Sequence, residues 1–244
     1  MKKQWHFASF LCLFVCVTLL FSYVGGRSSF LLADIVTKTT ARNAPVIILD
    51  AGHGGEDGGA TGVNGVLEKE LNLSLSQKLG ALLQMAGYTV IQTRTQDRLL
   101  CAEDTPRGHR KQGDLAGRLA IASEYPDGVF ISLHMNTFPN DSCRGTQVWY
   151  TQNDAESIDL ANAVQSRIKE TLQPNNNRKV KAATSSIYLL RHATTRAILI
   201  ECGFLSTPTE CELLSSEAYQ KALALSIFSA ICDKIPCHSG SPVL

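Results

Sequence analysis

His53 follows the short apolar run Val46-Ile47-Ile48-Leu49, in Asp50-Ala51-Gly52-His53-Gly54-Gly55. His134 follows Ile131-Ser132-Leu133 and precedes Met135-Asn136, and Glu201 follows Ile198-Leu199-Ile200 and precedes Cys202-Gly203-Phe204. Each stands where a buried strand should end. A fourth polar residue, Glu68, opens a helical stretch beyond a glycine-rich loop, where a carboxylate suits the positive end of the helix dipole. Ligands of open α/β sheets collect outside the carboxyl ends of strands, so these four side chains can converge. Two histidines and one carboxylate make a zinc set that leaves a fourth tetrahedral position for water, the arrangement of a catalytic site. A second carboxylate then has a task, to take the proton of that water while the metal polarises a carbonyl. Singly, the residues have plainer readings: a histidine after a strand often serves a loop hydrogen bond, and Glu68 alone is a helix-dipole carboxylate. Glu201 resists such a reading, because an acid after Ala-Ile-Leu-Ile is costly to bury unpaired.

Seven of the 18 glycines fall between Gly52 and Gly65. Such density marks backbone freedom or close backbone approach. A phosphate cradle is one use of such a loop. Neither G-x-x-x-x-G-K-S/T nor a G-x-G-x-x-G running directly into a helix is present, however, and Asp50, Glu56 and Asp57 would repel phosphate. The loop reads instead as a frame between His53 and Glu68.

From Val46 onward short apolar strands alternate with amphipathic helices, the pattern of an α/β domain. Strands are expected at 46–49, 88–94, 128–133, 146–150, about 187–191 and 197–201, and helices at about 68–86, 114–124, 154–172 and 217–234. In the first helix Leu71, Leu75, Leu79, Leu82, Leu83 and Ala86 recur at spacings of three and four, and Gly87 stops it. The polar stretch 95–112 is a long loop, of the kind that more often binds than idles. Together these predict one domain, a three-layer α/β sandwich with a mostly parallel central sheet flanked by helices. Strand alternation turns Cys202 away from Glu201, as a core thiol rather than a ligand.

Taken in order, Asp50 to Ala60 (DAGHGGEDGGA), Gly65 to Leu73 (GVLEKELNL), Ser132 to Asn136 (SLHMN), Arg144-Gly145-Thr146 and Ile200 to Ser206 (IECGFLS) resemble the zinc-dependent N-acetylmuramoyl-L-alanine amidases. The likeness runs over about residues 46–235. It implies hydrolysis of the amide between N-acetylmuramic acid and L-alanine in peptidoglycan, with one zinc ion on His53, Glu68 and His134 and with Glu201 as the catalytic glutamate. Asn136 matches a recurrent motif position, which implies a part in binding substrate or supporting the site. Ala51 stands where the family usually has proline, which removes no ligand. Glu103-Asp104-Thr105, Arg110-Lys111, Asp114-Leu115 and Arg118, with the apolar N-terminal segment, are similar to the family members that act on spore cortex in endospore formers. That implies cortex maturation towards muramic-δ-lactam, with peptidoglycan as substrate and a muramic-acid deacetylase of the same pathway or a sporulation lipoprotein as partner. Two other readings share the residues: a catalytically weak or partner-dependent wall-binding protein with the amidase fold, and a zinc peptidase acting on wall peptides. Spacing reports the metal and not the scissile bond.

The 244 residues, 44% apolar and 18% charged, describe a folded chain that can bury one sizeable core, which excludes disorder, collagen and a polytopic membrane protein. A net charge of +1 gives no pull towards nucleic acid, and residues 46–244 carry 18 basic and 21 acidic side chains. Met1-Lys2-Lys3 precedes an apolar run over residues 5–24, long enough to span roughly 30 Å of hydrocarbon. Residues 1–26 read as a signal peptide or signal anchor, the length favouring a retained anchor, with the lysines on the cytoplasmic side. Residues 27–45 read as a tether, 46–235 as the catalytic domain and 236–244 as a C-terminal tail. The body is expected outside the membrane, anchored on its outer face or secreted, at the forespore and cortex side. Cys101, Cys143, Cys202, Cys211, Cys232 and Cys237 stand in an oxidising compartment by this reading, but their spacings form no dense disulfide framework.

Overall fold

A run of aliphatic residues without polar alternation belongs to a strand covered on both faces, and Val46–Ala51 forms it as β1. The computed structural model describes residues 46–237 apart from 141, 153 and 236. The expectations for residues 1–26, for 27–45 and for the tail, Cys237 excepted, lie outside the described residues. After β1 come α1 (Glu68–Met85), β2 (Thr89–Gln92), α2 (Arg110–Ser123), β3 (Val129–Asn136), β4 (Gln147–Tyr150) and α3 (Ala155–Thr171). Then follow β5 (Lys181–Ala182), α4 (Tyr188–His192), β6 (Arg196–Phe204), α5 (Pro208–Ser215) and α6 (Glu217–Lys234).

Local chemistry sets these boundaries. In α1 the leucine stripe Leu71, Leu75, Leu79 and Leu83 is buried, Glu68 and Glu70 sit in the first turn, and Gly87 at φ +90° turns the chain out of the helix. Asp154 caps α3 by accepting from the backbone N–H of Glu156 and Ser157. Pro208 opens α5, where its missing N–H costs nothing.

The six strands form one sheet in the order β2-β1-β3-β6-β4-β5. β2, β1, β3 and β6 run parallel; β4 runs antiparallel to β6, and β5 runs parallel to β4. The reversal at β4 brings its first residue, Gln147, opposite Glu201 near the end of β6. One face of the sheet, with Ile47, Leu49, Ile131, Leu133, Ile200 and Cys202, shares a core with the apolar sides of α1, α3 and α6. The other, with Ile48, Phe130 and Leu199, packs on α2 and α4. Alternation puts Asp50, Gly52, Ser132, His134, Glu201 and Gln147 on this second face. These helices on both faces are the three expected layers.

Residues 187–191 depart from expectation. Instead of a strand, Tyr188–His192 form the short helix α4, with the adjacent Leu189 and Leu190 both buried in one cluster with Ile48 and Phe130. A short apolar run does not distinguish the two by periodicity. β3 and β6 also run further than expected, so His134 and Glu201 lie within their strands and pair with each other, with a register shift just beyond His134. No helix among the described residues is long and apolar enough to cross a membrane.

Candidate metal centre

His53, Glu68 and His134 each offer a ligand atom, and these atoms all lie within 4.8 Å of one another. Glu68 lies between the histidines, its Oε2 3.2 Å from Nε2 of His53 and its Oε1 3.0 Å from Nδ1 of His134. The two imidazoles meet edge to face, 5.0 Å between centroids. β3 supplies His134, the loop after β1 supplies His53, and the first residue of α1 brings Glu68 across the sheet rim from the opposite layer. The Glu68 carboxylate also accepts from the backbone N–H of Ala60 at 2.8 Å and of Met135 at 3.1 Å. It is thereby tied to both halves of the site.

The charge balance suits a cation. Burial alone would raise the Glu68 carboxyl, but hydrogen bonds from His134 and His53 hold it well below the usual carboxylate range. Burial alone would lower His53; its contacts with Asp57 and Glu68 outweigh that and lift it to about 9. Without a metal, then, a proton on His53 supplies the positive charge that the carboxylates call for. A divalent ion answers the same demand, and a donor set of two imidazoles and one carboxylate fits zinc.

Behind the cluster lies a buried polar frame. Asp50 is fully buried and accepts from Ser132 Oγ (2.6 Å), Thr93 Oγ1 (2.7 Å) and Arg118 Nη1 (2.5 Å). Arg118, itself 1% exposed, also pairs with Asp114 at 2.7 Å and donates to the carbonyls of Ala51 (2.8 Å) and His53 (2.7 Å). Arg94 donates to the carbonyls of Ala51 (2.8 Å), Gly52 (3.0 Å) and Lys69 (2.8 Å). Two guanidinium groups thus hold three consecutive carbonyls of the loop that carries His53. This fixes His53 at φ +61°, the one positive-φ residue other than glycine among the described residues.

Glu201 stands beside His134 across β3 and β6. Its Oε2 is buried with no hydrogen-bond partner among the described residues. Burial, with the His134 and Glu68 charges acting in opposite senses, pushes its carboxyl up to about 6. A carboxylate so placed is ionised near neutral pH and ready to take a proton.

Residues 47–233 match the sequence profile of the N-acetylmuramoyl-L-alanine amidases. The chain belongs to this amidase family. It is 34% identical over 233 residues to the germination-specific N-acetylmuramoyl-L-alanine amidase of Bacillus subtilis strain 168, covering 95% of each chain. Its fold is similar to that of the CwlD amidase of Clostridioides difficile, solved in complex with the GerS lipoprotein, with a TM-score of 0.75 and 36% identity over 78% of this chain and 98% of that one. It is also similar to the amidase AmiC2 of Nostoc punctiforme, with a TM-score of 0.67 and 28% identity over 78% and 97%.

All four residues singled out in this amidase for metal and proton chemistry therefore share one rim of the sheet. Asn136 ends β3, and its Oδ1 accepts from the N–H of Thr137 at 2.8 Å. No hydrogen bond ties its side chain to the other four. Sequence reasoning missed Asp57, whose Oδ2 lies 2.9 Å from Nδ1 of His53 and leaves Nε2 to face Glu68. Such a carboxylate fixes the tautomer and orientation of a metal-binding imidazole. The signal was an acid four residues after a histidine in a loop with few other side chains. Arg94 carries no signal in the sequence, and Asp114 and Arg118 stand out there only as residues that match the family.

Proposed function

We propose that this amidase holds one zinc ion on His53, Glu68 and His134, and that Glu201 is its catalytic base in cleaving peptidoglycan between N-acetylmuramic acid and L-alanine. The observation that carries the reading is the half-buried Glu201 carboxylate, its Oε2 without a hydrogen-bond partner among the described residues, next to a three-donor cluster in a chain of this family. When bound, zinc would supply Lewis acidity to the scissile carbonyl and lower the pKa of water. Glu201 takes a proton from the attacking water as its oxygen bonds to the lactyl carbonyl carbon. The C–N bond then breaks, and Glu201 returns the proton to the amine of L-alanine. The products are a muramic-acid carboxylate and a free stem peptide. Asp57 keeps Nε2 of His53 turned to the site, and Asn136, at the end of β3, binds substrate or supports the site.

The reading extends to spore cortex and its maturation towards muramic-δ-lactam, supported by the germination-specific amidase of Bacillus subtilis to which the chain is similar. A lipoprotein partner is supported by the Clostridioides difficile amidase solved with GerS. The chain acts outside the membrane that residues 1–26 address. Zinc-loaded protein incubated with cortex peptidoglycan should release stem peptides with a free L-alanine amine, detected by mass spectrometry. Glu201→Gln should slow release about 100-fold or more while zinc still binds. A variant as fast as the parent removes Glu201 from its role, and a chain that binds no zinc removes the centre. Products cut between amino acids instead would identify a wall peptidase.

A further inference from the structure

Asn72 interrupts the leucine stripe of α1 between Leu71 and Leu75 and is fully buried. Asparagine is a poor choice for the inside of a helix, since it forgoes apolar packing and its amide competes for backbone partners. Its neighbours explain the exception. Residues four apart share one helix face, so Asn72 lies one turn below Glu68. Its Nδ2 donates to Glu68 Oε1 at 3.4 Å and to the Gly52 carbonyl at 3.2 Å. An ionised carboxylate and a carbonyl only accept, so the amide nitrogen must face them, and both of its N–H groups are used. Oδ1 is left on the other side, with no hydrogen-bond partner among the described residues.

The other contacts of the Glu68 carboxylate fall into two kinds. Oε1 accepts from the Met135 N–H at 3.1 Å and Oε2 from the Ala60 N–H at 2.8 Å, whereas His134 and His53 approach through their ring nitrogens. Both histidines are themselves ligands in the reading above, and a ring nitrogen that gives its lone pair to a cation has none to spare and no proton for the carboxylate. Two backbone N–H groups and Asn72 are then what orients Glu68. Asn72 is the one side chain of the three, and it alone also holds the carbonyl of Gly52, next to His53.

We infer that Asn72 is a positioning residue of the metal centre, which holds Glu68 and the His53 loop together so that a cation meets preset ligands, and that it adds little to the stability of the metal-free fold. The inference deepens the zinc reading above and rests on it. Without Asn72 the Gly52 carbonyl keeps Arg94 Nη2 at 3.0 Å, and Glu68 Oε1 keeps the Met135 N–H. Loss of the amide therefore orphans neither acceptor. It also removes Oδ1, a buried oxygen whose want of a partner weighs against folding. Metal affinity should respond in the opposite sense, because a hydrogen-bond partner of a metal ligand commonly changes it about 10- to 100-fold.

The test uses the full chain in detergent, with zinc alone as the probe. Asn72→Leu keeps the branched outline of the side chain without its amide, and chelator competition should give it a zinc Kd about tenfold above that of the parent. The metal-free variant should melt within about 2 °C of the metal-free parent, or above it. Its cobalt-loaded form should differ from the cobalt-loaded parent in visible absorption, which reports how the ligands surround the ion. A merely structural residue gives the reverse pattern: melting falls by about 4 °C or more while zinc affinity and the cobalt spectrum stay as in the parent, and that result overturns the inference. If the leucine variant does not fold, Asn72→Ala, too small to crowd the core, decides: weakened zinc binding by the folded protein supports the role, and parental affinity overturns it. A parent that binds no zinc brings down the metal reading and the positioning role together. A parent that binds zinc, with variants its equal, removes Asn72 alone.

Discussion

A side-chain carbon added at Gly52 would stand 2.3 Å from the imidazole of His134. The backbone after β1 and the ring projecting from β3 therefore occupy adjoining space that only glycine leaves open. Gly52→Ala should push the His134 ring out of line with Glu68 and weaken zinc binding about 10- to 100-fold, the usual cost of disturbing the support of a metal ligand. Competition with a chromogenic chelator reads this directly. Unchanged affinity would mean that the ring finds a second position of equal quality.

Asp57 is open to a cleaner substitution. Asp57→Asn keeps an oxygen able to accept from Nδ1 of His53 but removes the charge that, with Glu68, lifts that imidazole to about 9. Zinc affinity should fall about tenfold or more, with the circular dichroism spectrum unchanged. Equal affinity in the variant would assign the 2.9 Å contact to loop structure alone.

Arg118→Met tests the buried frame. Methionine approximates the volume of the arginine stem but leaves Asp50 and Asp114 buried without their partner. Breaking a buried pair from one side costs about 3–5 kcal/mol, so the urea midpoint should drop sharply. A loss under about 1 kcal/mol, the scale of a surface pair, would show that water enters to replace the guanidinium.

Acid should expose the same network. Burial alone would raise the Asp50 carboxyl, but the Arg118 charge, with Ser132 and Thr93, outweighs it and holds the group below its ordinary range. The folded-state value is thus below the unfolded one. Asp50 stabilises the fold in full above its unfolded pKa of about 3.9, and that contribution drains as pH falls below it. Melting temperatures of the parent should decline more steeply below about pH 4 than those of Asp50→Asn, which should be less stable at pH 7. Parallel curves would acquit Asp50.

Long, strongly periodic elements are legible in the sequence. The leucine stripe of α1 and the aliphatic run of β1 stand where their periods put them, because burial of one face dictates both pattern and position. The grouping of His53, Glu68 and His134 is legible too, since the two histidines follow apolar runs and the glutamate opens the first helix, and motif spacing carries that pattern. What escaped depends on contacts between distant segments. Arg94 and Arg118 read as ordinary charges until the fold turns them onto the loop at residues 51–53. Gln147 gains its place opposite Glu201 only from the reversed direction of β4, which no local pattern encodes. The segment 187–191 was misread because Leu189 and Leu190 are buried by the neighbouring layer and not by their own periodicity.

At the β5 edge the ladder is two residues long, and the ammonium of Lys181 sits over the Trp149 ring, 5.4 Å from its centroid. An extended peptide looking for a row of free N–H and C=O groups finds almost none on that side. Strand addition is closed to wall peptides there, and so is edge-to-edge zipping between copies crowded together. A protein surrounded by peptide chains thus meets them at the ends of its strands, where the chemistry is, and not along this edge.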